Sequence, residues 1–220
     1  MNVLLSTVPR SGSTLLFNIC RLLLEQLYGK ENVYATWHEL YKENMQKQHN
    51  IVKTHERNEK YLPWSNKIIT STRDIRYVIA SYFEFNKKFK INDPKVLKDV
   101  CELFKTIIDN SINISDYVFV YEKYFENQEK IILELATCLE LPLEKINVSS
   151  VLKNIDEIKN KKYDNFDKSK TQMHPNHISP NSNKDIRQRI TPEQLAFIEK
   201  NCNVFLKKHG YKVYNITKML

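Results

Sequence analysis

The chain has 220 residues, enough for one well-buried core and short for two domains. Its 34 lysines and arginines against 26 aspartates and glutamates leave a formal net charge of +8, which favours anionic ligands without choosing among them. No apolar run approaches the ~18 residues of a membrane span. The four cysteines (Cys20, Cys101, Cys138 and Cys202) are too scattered for zinc-ligand spacing and read as reduced thiols, which suits a cytoplasmic setting.

In chain order, Val3–Thr7 reads as a buried strand and Ser13–Tyr28 as a helix with Leu16, Ile19, Leu23 and Leu27 on one stripe. Tyr34–Asn50 reads as loop, and Ile51–Thr54 and Lys67–Thr72 as strands. Asp74 caps a helix carrying Ile75, Val78, Ile79, Tyr82 and Phe83 on one face. Pro94 opens a longer helix to about Ile112, and Tyr117–Tyr121, aromatic and β-branched, is a strand. Helices are expected over Phe125–Leu139 and from Leu143 to about Lys159. The polar stretch Asn160–Lys184 is a long loop. Thr191, Pro192 and Gln194 then form a capping box with proline at the first helical position, and Gly210 closes the last helix. Neither end carries a secretory or lipidation signal. This alternation predicts a single α/β domain over 1–220, a three-layer architecture whose central, mostly parallel sheet is flanked by helices. In such sheets ligands gather beyond the carboxyl ends of the strands.

Three pieces of the sequence carry chemistry. The first is Pro9-Arg10-Ser11-Gly12-Ser13-Thr14, between the first strand and first helix. Backbone N–H groups without intrahelical partners converge there and the helix dipole favours an anion. Gly12 admits close backbone approach, Arg10 offers a forked donor, and Ser11, Ser13 and Thr14 offer hydroxyls. The plainer reading is a Ser/Thr N-cap on an amphipathic helix. A nucleotide-kinase P-loop needs a lysine after its last glycine, which this loop lacks, so the cradle reads as one for an anion held without a metal.

The second piece is Arg73, where a strand ends, and Ser81, about 12 Å further along the following helix, so that one phosphate between them can accept from both. The alternative makes Arg73 the partner of a carboxylate and Ser81 a packing residue. The third is Lys53-Thr54-His55. Lys53 and His55 share a face of an extended strand, a cation beside an imidazole, which suits removal of an alcohol proton next to a developing anion. A lone strand-end histidine is otherwise an ordinary surface or capping residue.

Together these pieces resemble the sulfotransferases that use 3′-phosphoadenosine 5′-phosphosulfate (PAPS). The loop Pro9–Thr14 is similar to that family's grip on the 5′-phosphosulfate. Arg73-Asp74-Ile75-Arg76-Tyr77-Val78-Ile79-Ala80-Ser81-Tyr82 is similar to the stretch whose arginine and serine hold the 3′-phosphate. Lys53-Thr54-His55 matches the segment bearing the base. Tyr121-Glu122 before a helix ending in Leu141-Pro142, and His177-Ile178-Ser179 before the last helix, add to the likeness. The resemblance implies a P-loop-like sulfotransferase fold and transfer of a sulfuryl group from PAPS to a hydroxyl or amine of a small-molecule or carbohydrate acceptor. It also implies adenosine 3′,5′-bisphosphate as product, and no metal, nucleic acid or membrane span. His55 is then the base, Lys53 and Arg10 stabilise developing charge, and Arg73 and Ser81 select the 3′-phosphate. The family's Arg-Lys-Gly for the 3′-phosphate is absent near Ser179–Arg189, and Lys184 and Arg187 are expected to substitute. Glu56, Glu39 and His38 are rival bases. The rival functions are a nucleotide or nucleoside kinase and a non-catalytic protein binding anions or nucleic acid on the same fold.

Overall fold

The computed structural model describes residues 1–55, 58–167, 170–175, 177–179 and 181–214. Its five strands are β1 (Asn2–Ser6), β2 (Val33–Trp37), β3 (His49–Thr54), β4 (Lys67–Thr72) and β5 (Tyr117–Val120). They form one sheet in the order β2-β3-β1-β4-β5, every pairing parallel. A parallel sheet needs cover on both faces, so β1 is buried at every position after Asn2 and β3 along its whole length, polar residues included. In β1 the side chains alternate between cores: Val3 and Leu5 pack with Phe17, Leu23 and Phe119 on one face, while Leu4 packs with Val52 and Tyr61 on the other.

The first face is covered by α1 (Ser13–Tyr28), α5 (Gln128–Cys138) and α6 (Val148–Asn160). The opposite side carries α2 (Ile75–Phe85), α3 (Pro94–Ile112) and α7 (Pro192–Lys208), which pack through Ile79, Phe104 and Ile198. Truncating any of these fully buried side chains to alanine is expected to cost about 2–5 kcal/mol. Arg76 joins two of these helices. It pairs with Asp74 (2.6 Å) and with Glu199 of α7, all three side chains being buried.

Strand β2 replaces part of the loop expected over Tyr34–Asn50; it is a sheet edge paired only to β3. The helix expected over Phe125–Leu139 is two: α4 (Tyr121–Glu126) ends at Asn127, whose side chain accepts from Lys130 N (3.0 Å) and so caps α5. A 3₁₀ turn occupies Leu143–Lys145, and Asn147 caps α6 by accepting from Ser150 N (2.9 Å). The capping box of α7 is present, with Gly210 at φ 75° beyond its end. All four cysteines are free thiols, Cys138 half-buried and the others buried.

In-register pairing of Leu5 with Lys53 and Ser6 with Thr54 brings the carboxyl ends of β1 and β3 level. Thr72 of β4 likewise pairs with Val120 of β5. One edge of the sheet therefore carries the Pro9–Thr14 loop, Trp37, His55, Arg73 and Tyr121. The chain leaves β1 with β3 on one side and β4 on the other, the reversal at which such sheets open a crevice.

Candidate active site

The loop after β1 bends through two left-handed residues, Arg10 (φ 66°) and Gly12 (φ 86°). A Cβ at position 12 would collide with the ring of Tyr121, so glycine is required by conformation and by space. Helix α1 starts immediately after Gly12, and no side chain caps it. The plainer N-cap reading is therefore not what the structure shows: the first N–H groups of α1 are left for another acceptor. Ser11 lies buried beneath the loop, its hydroxyl donating to Val8 O (2.8 Å) and touching Ser71 Oγ.

Lys53 is 3 % exposed, and its ammonium donates to Thr14 Oγ1 at 2.9 Å. Burial pulls its pKa down to about 7. Beside it, His55 is held below its ordinary value, at about 3, by burial and then by the Lys53 charge. Its Nδ1 lies 3.3 Å from Thr7 Oγ1. That hydroxyl donates its one hydrogen to Thr54 O (3.0 Å), so it can only accept from Nδ1–H. Nε2 is thereby left unprotonated, as a base requires. Trp37 packs edge-on to His55, with ring centroids 4.8 Å apart.

Arg73, at the end of β4, lies over Tyr121 (4.2 Å to the centroid) and near Tyr77 (5.3 Å). The ring of Tyr121 thus touches both Gly12 and Arg73. Asp74 fixes this corner: its carboxylate accepts from Arg76 N (3.0 Å), and its own N–H donates to Glu122 Oε1 (3.0 Å).

Arg10, Gly12, Ser13, Thr14, Lys53, His55, Arg73 and Ser81 all line one cavity of about 660 Å³. The assignment of Arg10 to the first pocket and Ser81 to the second is too simple, because Arg10 Nε donates to Ser81 Oγ at 2.9 Å. Arg10 also donates to His177 O (3.2 Å) and covers Phe85. Its pKa is lowered by burial and then by the Arg73 charge.

Two expected contacts need correction. Lys184 and Arg187 are exposed and do not line the cavity. Arg187 is held outward by Asp185 (2.7 Å) on a turn anchored by buried Ile186, whose N–H donates to Tyr77 OH (3.1 Å). Arg189, two positions on, turns inward. Its side chain is fully buried and paired to Glu84 (2.8 Å), and Nη1 has no partner among the described residues. The signal was available: Ile186 and Ile190 bracket a turn that must face the core, which puts Arg187 outside.

Among the aromatics of the surrounding loops and helix ends, Trp37 and Phe85 line the cavity. Tyr34 and Tyr41 stack on each other away from it, and Phe89, which does not line it, stacks on Tyr82, which does. Sequence reasoning missed His174 and counted His177 only in the family likeness, with no place in the site; their rings meet at 4.3 Å on the cavity wall. Burial and then the neighbouring His174 hold His177 neutral, at about 2. His38 and Glu39 do not line the cavity, and Glu56 lies outside the described residues. Among the described residues there is no cluster of three histidine, cysteine or acidic side chains able to hold a metal, and no helix long and apolar enough to cross a membrane.

The sequence profile of the sulfotransferase domain matches residues 1–212. The structure is similar to the crystal structure of mouse sulfotransferase SULT7A1 complexed with PAP. The TM-score is 0.61 at 12 % identity, covering 99 % of this chain and 87 % of that one. No curated protein matches the chain in sequence.

Proposed function

The chain belongs to the sulfotransferase family, and from that premise we propose that its sulfuryl donor is PAPS, bound across the cavity with one phosphate group at each end. The observation that carries this is that Gly12 and Arg73 both touch the ring of Tyr121, which brings the N-terminus of α1 and a cluster of arginines together on one cavity. Arg10, Arg73 and Arg189 converge with Glu84 as the carboxylate that offsets them. The unpartnered, buried Nη1 of Arg189 fits a bound anion, since an unmet buried donor is costly. We assign Arg73, Ser81 and Arg189 to the 3′-phosphate, and Gly12, Ser13, Thr14 and Lys53 to the 5′-phosphosulfate, above buried Ser11. Arg10 lies between the two groups.

In this reading His55 Nε2 takes the proton of the acceptor hydroxyl as its oxygen attacks sulfur in line. The bond from sulfur to the bridging phosphate oxygen breaks, and the bond to the acceptor oxygen forms. Lys53 and the α1 N-terminus stabilise the charge gathering on the departing phosphate, and adenosine 3′,5′-bisphosphate is released. Preorganised donors of this kind supply the largest share of such catalysis. The acceptor is a small molecule or carbohydrate presenting a hydroxyl or amine. The free thiols support a cytoplasmic setting. The test is incubation with PAPS carrying a labelled sulfuryl group and a panel of acceptors, with no ATP. Label should move to an acceptor and stoichiometric adenosine 3′,5′-bisphosphate should appear. Binding of PAPS without any transfer across the panel would leave a binding protein rather than an enzyme.

A further inference from the structure

The large apolar side chains that stand open to solvent are unevenly placed. Every exposed phenylalanine among the described residues belongs to one neighbourhood. Phe85, Phe125 and Phe166 line the cavity, as does exposed Ile178, and Phe89 stacks on Tyr82, which lines it too. Each of the five is 40–50 % exposed. A side chain that lines a cavity yet is half open to solvent stands at its mouth. Phe85 and Phe166 pack against one ring, His174, with centroids 5.0 and 6.2 Å away. Phe89 follows Phe85 across the turn that ends α2, where Phe89 N donates to Asn86 O (3.0 Å). Apolar side chains gathered at one place on a surface, with polar residues around them, mark a docking site.

Lysines frame these rings. The stretch Asn86-Lys87-Lys88-Phe89-Lys90-Ile91-Asn92 carries three exposed lysines and no acidic residue. Around Phe166, Lys161, Lys162 and Lys170 are exposed; Asp164 is exposed with them, while Asp167 turns back to accept from Thr171 Oγ1 (2.7 Å). Rings set between long cationic side chains suit a boundary between water and lipid. The rings enter the headgroup region, and the lysines reach out to the lipid phosphates. Charge selects the partner: this face repels a second copy of itself, and an anionic surface attracts it.

We propose that the mouth of the cavity, from Phe85 to Lys90 and around Phe166, docks on the surface of an anionic lipid bilayer. The chain lies on the leaflet without crossing it, and the cavity opens towards the lipid. Each lysine at such a surface adds about fivefold to the affinity, and the rings add the burial of their exposed halves. The docking goes beyond the proposed transfer reaction and does not depend on it.

Flotation of the full chain with vesicles of phosphatidylcholine alone, and with phosphatidylserine mixed in at one part in three, tests this. The wild type is expected to float with the mixed vesicles, to bind the neutral ones at least about tenfold more weakly, and to be released as salt rises. Replacing Lys87, Lys88 and Lys90 together by glutamine should weaken binding to the mixed vesicles by about 10²-fold, and Phe89→Ser by about fivefold. Replacing Lys145, Lys200 and Lys207 together by glutamine removes the same charge away from the cavity and should keep binding within about twofold. Melting curves confirm that all three variants fold. Equal losses in the two lysine variants would show attraction to net charge alone and overturn the proposal. Equal binding to both kinds of vesicle, or binding to neither, overturns it as well. So does a dimer in sedimentation that Phe89→Ser dissolves, which would give the face to a second copy. Failure of sulfuryl transfer, by contrast, would leave the vesicle result standing.

Discussion

The two ends of the cavity are built from opposite electrostatics. At one end Arg10, Arg73 and Arg189 gather beside Glu84, and burial and then the Arg73 charge hold Arg10 below its usual value. At the other, His55, His174 and His177 are all pushed down by burial and stay neutral, and Arg10 reaches across to donate to His177 O (3.2 Å). Lys53 stands at the border, its ammonium on Thr14 and its charge felt by His55. The difference separates two jobs that conflict in one place. Holding an anion needs permanent cations, whereas removing a proton needs an uncharged nitrogen. The fold draws them from different strand ends, with β4 and α2 supplying Arg73 and Ser81 and the end of β3 supplying Lys53 and His55, and Arg10 bridging between them.

The largest expected effect breaks the neutral end alone. His55→Ala should lower kcat by roughly 10²-fold or more, the usual scale for a general base, with affinity for adenosine 3′,5′-bisphosphate kept. Near-normal turnover would move the base elsewhere on the wall. Next, the cationic end: Arg73→Ala and Arg189→Ala should each weaken adenosine 3′,5′-bisphosphate by about tenfold or more, as expected for lost hydrogen bonds to a charged group. AMP, which lacks the 3′-phosphate, should be affected far less. Equal losses for both nucleotides would refute the assignment of these arginines.

A smaller effect separates the ends by pH. His55 is held at about 3 in the folded chain and rises to its ordinary 6.5 on unfolding. The unfolded chain therefore binds the proton first, so this group's stabilisation is complete above about pH 6.5 and is lost as pH falls towards 3. The melting temperature of the free protein should drop across that window, and less steeply in His55→Gln. Identical slopes would show that the imidazole is not held neutral. Smallest of all, Arg187→Ala should leave nucleotide affinity within about twofold, since Arg187 faces Asp185 and solvent; a tenfold loss would restore it to the site.

Much of this was legible in the sequence. The strand–cradle–helix layout, the Arg73 corner and the α7 capping box follow from local rules, because their signals are turn residues and apolar periodicity. Strand β2 was not legible: Val33-Tyr34-Ala35-Thr36-Trp37 is a five-residue edge strand followed by polar turns, and only its pairing with β3 makes it a strand. The break at Asn127 is a cap hidden inside a continuous helical pattern. The inward turn of Arg189 and the placing of His174, His177 and Gln172 on the cavity wall depend on how the loop after α6 packs against α1 and α2. No local spacing encodes that packing.

The most direct test of the central claim, that one cavity holds two phosphate groups of a single nucleotide, is calorimetric titration of the wild-type chain with adenosine 3′,5′-bisphosphate and, separately, with ATP and magnesium. The account predicts one site per chain for the bisphosphate and an affinity at least about tenfold above that for ATP, the scale expected when charged hydrogen bonds to the 3′-phosphate are made. Tighter binding of ATP, or no binding of the bisphosphate, would contradict it.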